Sequence, residues 1–297
     1  MRVTLSRDSL LGHLAMLIFS ALVAGSFSLG AMVANEVAPV ALMAVRFAMA
    51  TAVVGILAAL GPGIPREAAR APWRYLLAGG VFAIYFVLMF EGLKTAAPVS
   101  SSAVFTLTPI MAAGFGYLVL RQVTGPRILV ALAVGAIGAL WVIFQGDIAT
   151  LMRFQVGRGE VIFFFGCIAH ALYIPLLRRL NRGESGLVFT FGVLVAGTLV
   201  LGVAGMGQII ATDWAAVPAF VWVVLAYLVL GPTATSFFML SFASMRLKAA
   251  KVMAYSYLTP SWVILWEIAL GHAMPATIVL GGVALTLLAV GLLLHED

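Results

Sequence analysis

Long apolar stretches separated by short polar turns fill almost the whole sequence. A helix that crosses a bilayer needs roughly 20 mostly apolar residues, and ten stretches reach about that length. They cover residues 11–33, 38–60, 74–93, 97–119, 127–145, 160–180, 186–208, 217–243, 249–270 and 275–294. The pattern predicts an all-α polytopic membrane protein with ten transmembrane helices.

Composition and charge narrow the class further. Hydrophobic residues make up 63% of the chain and charged residues only 9%, whereas about a quarter of the residues in a soluble domain are charged. The 17 Lys and Arg against 11 Asp and Glu lie mostly in the short turns between spans, where they orient helices. We therefore expect membrane lipid around the protein and no nucleic-acid partner.

Two stretches of the sequence, Gly80–Pro109 and Gly231–Pro260, share one layout. Each is an apolar span, a short polar turn and a second apolar span that ends in Leu-Thr-Pro. The identical pairs are Gly80/Gly231, Ala83/Ala234, Phe86/Phe237, Ala103/Ala254, Leu107/Leu258, Thr108/Thr259 and Pro109/Pro260. We interpret them as an internal repeat, with five-helix halves at residues 1–145 and 160–297 and a periplasmic connector at 146–159.

The Lys and Arg residues also predict sidedness. With the N-terminus inside, most of them fall on the inner side, as the positive-inside rule requires, and both termini are cytoplasmic. Five spans are an odd number, so the second half enters the membrane with inverted topology. Inverted repeats that rock around a site near the midplane are typical of alternating-access transporters.

Four residues within the spans are candidates for gating or structural roles. Pro109, Pro232 and Pro260 remove backbone donors inside apolar spans. Arg46 lies about ten residues into the second span, near the bilayer midplane, where a charge is costly. It either attracts a substrate carboxylate or ties helices together, with Glu36, Glu91, Glu267 or a helix-end carbonyl as its partner.

Aromatic, thioether and hydroxyl side chains recur at helical spacing in five spans, where they face either a cavity or the packing core. His170 is either a hydrogen-bonded core residue or a substrate contact or proton relay. The candidates for substrate binding from this pattern are Tyr85, Met89, Ser102, Phe105, His170, Tyr173, Ser236 and Tyr255.

The small residues Ala131, Gly135 and Ala139 recur every four positions in the fifth span. Small side chains at this spacing let two helices approach closely. We expect the fifth and tenth spans, the least polar of the ten, to buttress each half or to meet a neighbouring protomer.

The sequence lacks the common motifs of catalytic, nucleotide-binding and metal-binding sites. There is no phosphate loop, zincin or nucleophile-elbow motif, and no Cys/His cluster. We predict no catalytic residues, no metal site and no cofactor, and Cys167 has no partner for an intrachain disulfide. A non-transporting membrane protein stays an alternative; an intramembrane enzyme would need clustered Ser, His or Asp.

The Ala-Val-Arg-Phe run at 44–47 and the two Leu-Thr-Pro spans resemble, over essentially the whole chain, the EamA-type proteins of the drug/metabolite transporter superfamily. The resemblance implies a bacterial inner-membrane exporter whose central path is lined by spans one to four and six to nine, and it adds Phe237 to the candidates. Its aromatic-rich spans look most like the broad-specificity amino-acid exporters of the YddG type.

We therefore expect an amino acid, aromatic or otherwise neutral, as the substrate and a monomer or homodimer as the assembly. The alternative is another small metabolite or a cationic drug. A cationic drug would require a membrane-buried carboxylate, for which Glu267 is the candidate.

Overall fold

Each apolar stretch contains helix in the computed structural model, which describes residues 7–152, 156–244 and 254–294 together with positions 246 and 252. These described residues form helices and turns but no strand. The helices are α1 Arg7–Val33, α2 Pro39–Leu60, α3 Trp73–Leu93, α4 Pro98–Phe105, α5 Thr108–Leu120, α6 Pro126–Ile143, α7 Ile148–Met152, α8 Arg158–Leu180, α9 Gly186–Ala204, α10 Met206–Ala211, α11 Ala219–Val229, α12 Ser236–Ser244, α13 Thr259–Ala269 and α14 Thr277–Leu294.

Eight described segments are apolar and long enough to cross a membrane: α1, α2, α3, α4 with α5, α6, α8, α9 and α14. The prediction of an all-α polytopic membrane protein is confirmed. The two other predicted spans, 217–243 and 249–270, are interrupted by the π-helical turn Leu230–Thr235 and the 3₁₀ turn Tyr255–Leu258. Their place in a ten-helix inverted repeat stays a prediction.

Both Leu-Thr-Pro sequences start a helix in the same way. Leu107 and Leu258 precede α5 and α13 with nearly identical backbone angles, φ −76° and ψ −16° against φ −77° and ψ −13°. In each case the proline lies in the first turn, where its missing N–H costs nothing because those donors have no helical acceptor. Repeated sequence therefore gives repeated local structure.

Helices of the first half pack mainly against helices of the second. α3 lies along α8 and α9, α2 lies along α9, α5 contacts α8, and α1 contacts α12 and α13. The indole nitrogens of Trp262 and Trp266 in α13 donate to Ser20 Oγ at 2.9 Å and to the Ala21 carbonyl at 3.2 Å in α1. The centre of the molecule thus lies between α1, α3, α8 and the interrupted α11–α12 segment.

α6 packs closely against its neighbours, as its small residues predict, but the contact with α14 is made by Gly138, which the sequence pattern did not identify. Gly135 lies directly beneath the buried ring of Tyr257. A Cβ atom on Gly138 would lie 2.7 Å from the Gly282 carbonyl oxygen, and one on Gly282 would lie 2.6 Å from the Gly138 oxygen. The two backbones are therefore in contact, with no room for a side chain at either glycine.

An ion pair joins helices at the end of the bundle where α3 begins. Arg74 Nη2 donates to Glu184 Oε1 at 2.6 Å, and Nη1 donates to the Leu180 carbonyl at 2.7 Å. The backbone N–H of Arg182 donates to the second carboxylate oxygen at 2.7 Å. These bonds join the start of α3 to the turn between α8 and α9.

Candidate functional site

A cavity of about 200 Å³ lies in the middle of the helix bundle. Its lining comes from both halves of the chain, namely from α1, α2, α3, α4, α8, α9, the π-helical turn and α12. The residues that line it are Phe19, Val23, Ser26, Arg46, Phe82, Tyr85, Phe86, Met89, Phe105, His170, Tyr173, Leu177, Thr190, Leu194, Pro232, Thr233, Ser236 and Leu240.

The π-helical turn on one side of the cavity follows from Pro232. Proline has no N–H to donate to the carbonyl four residues earlier, which is that of Leu228. Thr233 Oγ1 donates to this carbonyl at 2.9 Å, and Ser236 Oγ donates to the Gly231 carbonyl at 3.2 Å. Side-chain hydroxyls thus replace the missing backbone donors, as polar side chains do around prolines in membrane helices.

Arg46 reaches from α2 to the same turn and is only 1% exposed. Its Nη2 donates two long hydrogen bonds, to the Leu228 carbonyl at 3.5 Å and to Thr233 Oγ1 at 3.4 Å. Nη1 is buried without a hydrogen-bond partner among the described residues. The guanidinium carbon lies 4.2 Å from the centre of the Phe86 ring, a distance at which a cation and an aromatic face attract each other.

The partner of Arg46 is therefore a carbonyl at a helix break, one of the alternatives left open by the sequence. The glutamates proposed as partners are engaged elsewhere or exposed. Glu91 is paired with Lys94 at 3.0 Å, Glu267 with His272 at 2.8 Å, and Glu36 is exposed in the turn after α1.

Aromatic rings form the wall opposite the turn. The rings of Phe82 and Tyr173 stack with centroids 4.4 Å apart, and Tyr85 lies 4.7 Å from Phe86. His170 packs against Tyr85 at 4.5 Å and against Phe105 at 5.4 Å. Its Nδ1 is buried with no hydrogen-bond partner in the described part of the chain.

A second pocket of about 370 Å³, here called the vestibule, adjoins the cavity. It shares Phe105, His170 and Tyr173 with the cavity and extends to Met16, Arg178 and Val252. It lies at the end of the bundle where α1 begins and α8 ends. Toward the opposite end, Phe27, Phe90 and Phe163 are fully buried in the core.

A larger groove, about 430 Å³, lies between α5, α6 and α8 and shares Pro109, Ile174 and Arg178 with the vestibule. It is more open than the central cavity and mostly apolar, with Gln122, Thr124 and Arg178 as its main polar side chains. The central cavity is the better candidate for a ligand site because it encloses its contents and contains the buried Arg46.

Most of the predicted site residues converge on the cavity. Those that line it are Tyr85, Met89, Phe105, His170, Tyr173, Ser236, Arg46 and Pro232, and Pro109 lines the vestibule. The side chain of Phe237 lies outside the described residues.

Three predicted residues lie elsewhere. Ser102 Oγ donates to the Val99 carbonyl at 2.7 Å within α4. The Tyr255 hydroxyl shares a 2.9 Å hydrogen bond with His13 Nδ1 in α1. Pro260 is buried in the first turn of α13. None of the three lines the cavity or the vestibule.

The sequence did not identify Ser26 in α1 or Thr190 in α9 as part of the lining. The only available indication was a lone hydroxyl in an apolar span, which occurs at many positions that merely bond to their own helix. In the described part of the chain, no three His, Cys, Asp or Glu side chains come together in a geometry that could hold a metal ion.

Residues 10–144 match the sequence pattern of the EamA-like transporter family. The chain carries an EamA-like transporter domain. The resemblance to EamA-type proteins of the drug/metabolite transporter superfamily is thereby confirmed over these residues, and the apolar helices of membrane length indicate a multi-pass membrane protein.

Two comparisons extend over nearly the whole EamA-type chain. YyaM, an uncharacterized transporter of Bacillus subtilis (strain 168), is 25% identical over 278 residues, which are 93% of this chain and 91% of that protein. A protein of known crystal structure shares the fold with a TM-score of 0.69 at 21% identity, over 96% of this chain and 95% of that one.

Proposed function

We propose that this EamA-type protein exports aromatic and other neutral amino acids by alternating access through the central cavity. One observation carries the proposal: a buried arginine with an unpartnered nitrogen faces an enclosed pocket with aromatic walls. The guanidinium recognises the substrate carboxylate, because Arg donates to carboxylates in a fixed fork geometry. The rings contact the substrate side chain, and the vestibule supplies the path to one side of the membrane.

The packing of the helices supports two halves of inverted topology. Exchanging the halves maps the α3–α8 contact onto the contact of α12 with α1, and maps the α5–α8 contact onto that of α13 with α1. The α2–α9 and α6–α14 contacts map onto themselves. A two-fold relation between halves produces this pattern, and it leaves the cavity on the axis between them.

Under the predicted orientation, with a cytoplasmic N-terminus, the vestibule opens to the cytoplasm. The protein is then in the state that loads substrate for export from the inner membrane. The proposed path needs no soluble domain or cofactor, and the assembly is a monomer or homodimer.

The cationic-drug alternative has less support. Among the described residues that line the cavity and the vestibule, none is acidic. Glu267, the carboxylate this alternative requires, bonds to His272 outside the cavity. Export of another small uncharged or anionic metabolite stays the alternative.

Uptake of labelled Phe, Thr and Met into proteoliposomes tests the proposal. We expect flux with the wild-type protein and at least a tenfold reduction with Arg46→Met, because the only buried cation of the described cavity lining is removed. Arg121→Gln, which changes an exposed arginine at the end of α5, is the matched control and retains flux.

Unfolding temperature in detergent separates lost function from misfolding. Replacing a buried charge without an ionic partner by an apolar side chain is often neutral or stabilising, so Arg46→Met keeps or raises that temperature. Movement of nucleotide sugars or polyamines, with no flux for any amino acid, would refute the proposed substrate.

A further inference from the structure

We propose that the cavity sorts its ligands by charge, so that aromatic carboxylates without an ammonium group bind more tightly than the amino acids with the same side chain. Aromatic amines bind most weakly. The inference rests on the proposed function, because it concerns the same cavity, but it names a different preferred substrate class: small aromatic monocarboxylate anions.

The charges around the cavity are all of one sign. Arg46 lies in the cavity wall and Arg178 at the far end of the vestibule. The described lining residues of both spaces include no Asp or Glu. A ligand with one negative charge therefore leaves the occupied cavity neutral, whereas each positive charge on the ligand adds to that of Arg46.

The backbone carbonyls of the cavity wall that could hold an ammonium group are already engaged. The Leu228 carbonyl accepts from Thr233 and Arg46, and the Gly231 carbonyl accepts from Ser236. These are the carbonyls next to the Pro232 break, which otherwise are natural sites for a cation in a broken membrane helix.

Aromatic faces are the other means of holding an ammonium group. The face of Phe86 is covered by the Arg46 guanidinium at 4.2 Å, and the rings of Phe82 and Tyr173 cover each other at 4.4 Å. An ammonium that enters the cavity loses its hydration and adds a second positive charge near Arg46, and these carbonyls and the face of Phe86 are not free to compensate it, which is unfavourable for a buried charge.

For a ligand carboxylate, in contrast, the cavity offers hydrogen-bond donors that are not fully used. Arg46 Nη1 has no partner among the described residues, and both hydrogen bonds of Nη2 are at the long limit of such bonds. A ligand carboxylate can accept from Nη1 and replace the weak bonds of Nη2 with charge-assisted ones, which are roughly twice as strong as bonds between neutral groups.

The volume of the cavity limits the ligand to a small molecule. About 200 Å³ is somewhat more than the ~150 Å³ of an engineered protein cavity that binds benzene. A single aromatic ring with a short carboxylate chain is of this size class. Tyr85, Phe105 and Tyr173 then contact the ring, and Arg46 holds the carboxylate.

Three ligands that differ only in their charged groups test the inference. Phenylalanine carries both groups, 3-phenylpropionate lacks the ammonium, and phenethylamine lacks the carboxylate. Their affinities for the full-length protein in detergent are measured by calorimetry at pH 7. Detergent avoids the passive diffusion of weak acids and amines across vesicle membranes.

We expect 3-phenylpropionate to bind at least tenfold more tightly than phenylalanine, and phenethylamine at least tenfold more weakly than phenylalanine. Arg46→Lys, which keeps the charge, retains this order. Arg46→Gln removes the charge and weakens 3-phenylpropionate at least tenfold, so that the three affinities converge. Arg121→Gln leaves all three affinities unchanged.

Two results would overturn the charge selection. If phenylalanine binds as tightly as 3-phenylpropionate or more tightly, the cavity holds an ammonium acceptor, and the amino-acid proposal stands without this inference. If Arg46→Gln preserves the order of the three ligands, the arginine does not discriminate among them. Failure of all three ligands to bind overturns the proposed function as well.

Discussion

At the scale of single residues, the cavity is built around one arginine whose charge has no ionic partner among the described residues. Buried charges in proteins are normally paired, but in this part of the chain Arg46 contacts a carbonyl, a hydroxyl and an aromatic face. The carbonyl is available because Pro232 cannot donate to Leu228. The proline in one helix thus leaves a backbone carbonyl that can accept a hydrogen bond from an arginine in another helix.

Thr233 is a positioning residue for that arginine, because its hydroxyl accepts from Nη2 at 3.4 Å and donates to the Leu228 carbonyl at 2.9 Å. We expect Thr233→Val, which keeps the shape without the hydroxyl, to weaken binding of a carboxylate ligand about threefold to tenfold, the loss of roughly one hydrogen bond. Thr233→Ser restores the affinity.

Calorimetry with 3-phenylpropionate and with phenethylamine distinguishes positioning from packing. A positioning role predicts that Thr233→Val affects only the ligand with a carboxylate. An equal loss for both ligands, or no rescue by serine, would show that the threonine merely supports the helix.

Sequence reasoning placed Arg46 at midplane depth and identified Pro232 as a helix break, since both follow from position in a span. It could not predict that Arg46 contacts the helix break. Arg46 and Leu228 are 182 residues apart in sequence, and their contact depends on how the two halves pack. Ser102 and Tyr255 show the same limit: helical spacing gives a face, but the neighbouring helix decides whether that face meets a cavity.

At the scale of helices, the repeated Leu-Thr-Pro sequence gives a proline-led helix start in both halves, whereas the sequence pattern predicted prolines inside continuous spans. The π-helical turn at Leu230–Thr235 could not be predicted in the same way. The aligned stretch of the first half, around Gly80, is regular helix within α3. The difference follows from Pro232, whose aligned position in the first half is Val81.

The α6–α14 contact gives a prediction about packing. Gly282→Ala would place a Cβ atom 2.6 Å from the Gly138 carbonyl oxygen, so the two helices must separate. We expect a loss of roughly 1–3 kcal/mol in stability, seen as a lower unfolding temperature in detergent. Gly291→Ala in the same helix, with no atom within 4 Å of the new Cβ, is the matched control and shows no loss.

The ion pair that joins α3 to the α8–α9 turn predicts a dependence on pH. The hydrogen bond from Arg74 lowers the pKa of Glu184 to about 2. A carboxyl with a depressed pKa in the folded state stabilises fully above its unfolded value of about 4.3 and loses this contribution as pH falls toward the folded value.

We therefore expect Glu184→Gln to lower the unfolding temperature at pH 7 and to reduce the drop that the wild-type protein shows between pH 5 and pH 3. The control is Glu36→Gln, which changes an exposed carboxylate in the turn after α1 and leaves both quantities as in the wild type. A wild-type drop that persists undiminished in Glu184→Gln would contradict the assignment.

At the scale of the whole molecule, the vestibule lies at one end of the proposed path and buried phenylalanine rings lie toward the other. Ser256 lines the vestibule. Ser28 lies in the second half of helix α1, away from the vestibule, and is only 1% exposed. In a Cys167→Ala background, we expect a membrane-impermeant maleimide to label Ser256→Cys in inside-out vesicles and to leave Ser28→Cys unlabelled. Equal labelling of both would contradict a path closed at one end.

The charge of the ligand selected by Arg46 also determines how the membrane potential would act on the proposed export. If the protein exports a carboxylate without an ammonium group, each cycle carries one negative charge outward. An inside-negative potential contributes ~2.3 kcal/mol per charge per 100 mV, enough to sustain a concentration ratio of about fiftyfold, since 1.4 kcal/mol corresponds to tenfold. A zwitterion moves no net charge, so the membrane potential contributes no free energy to its export. The potential alone would therefore favour export of anions, with no coupled proton.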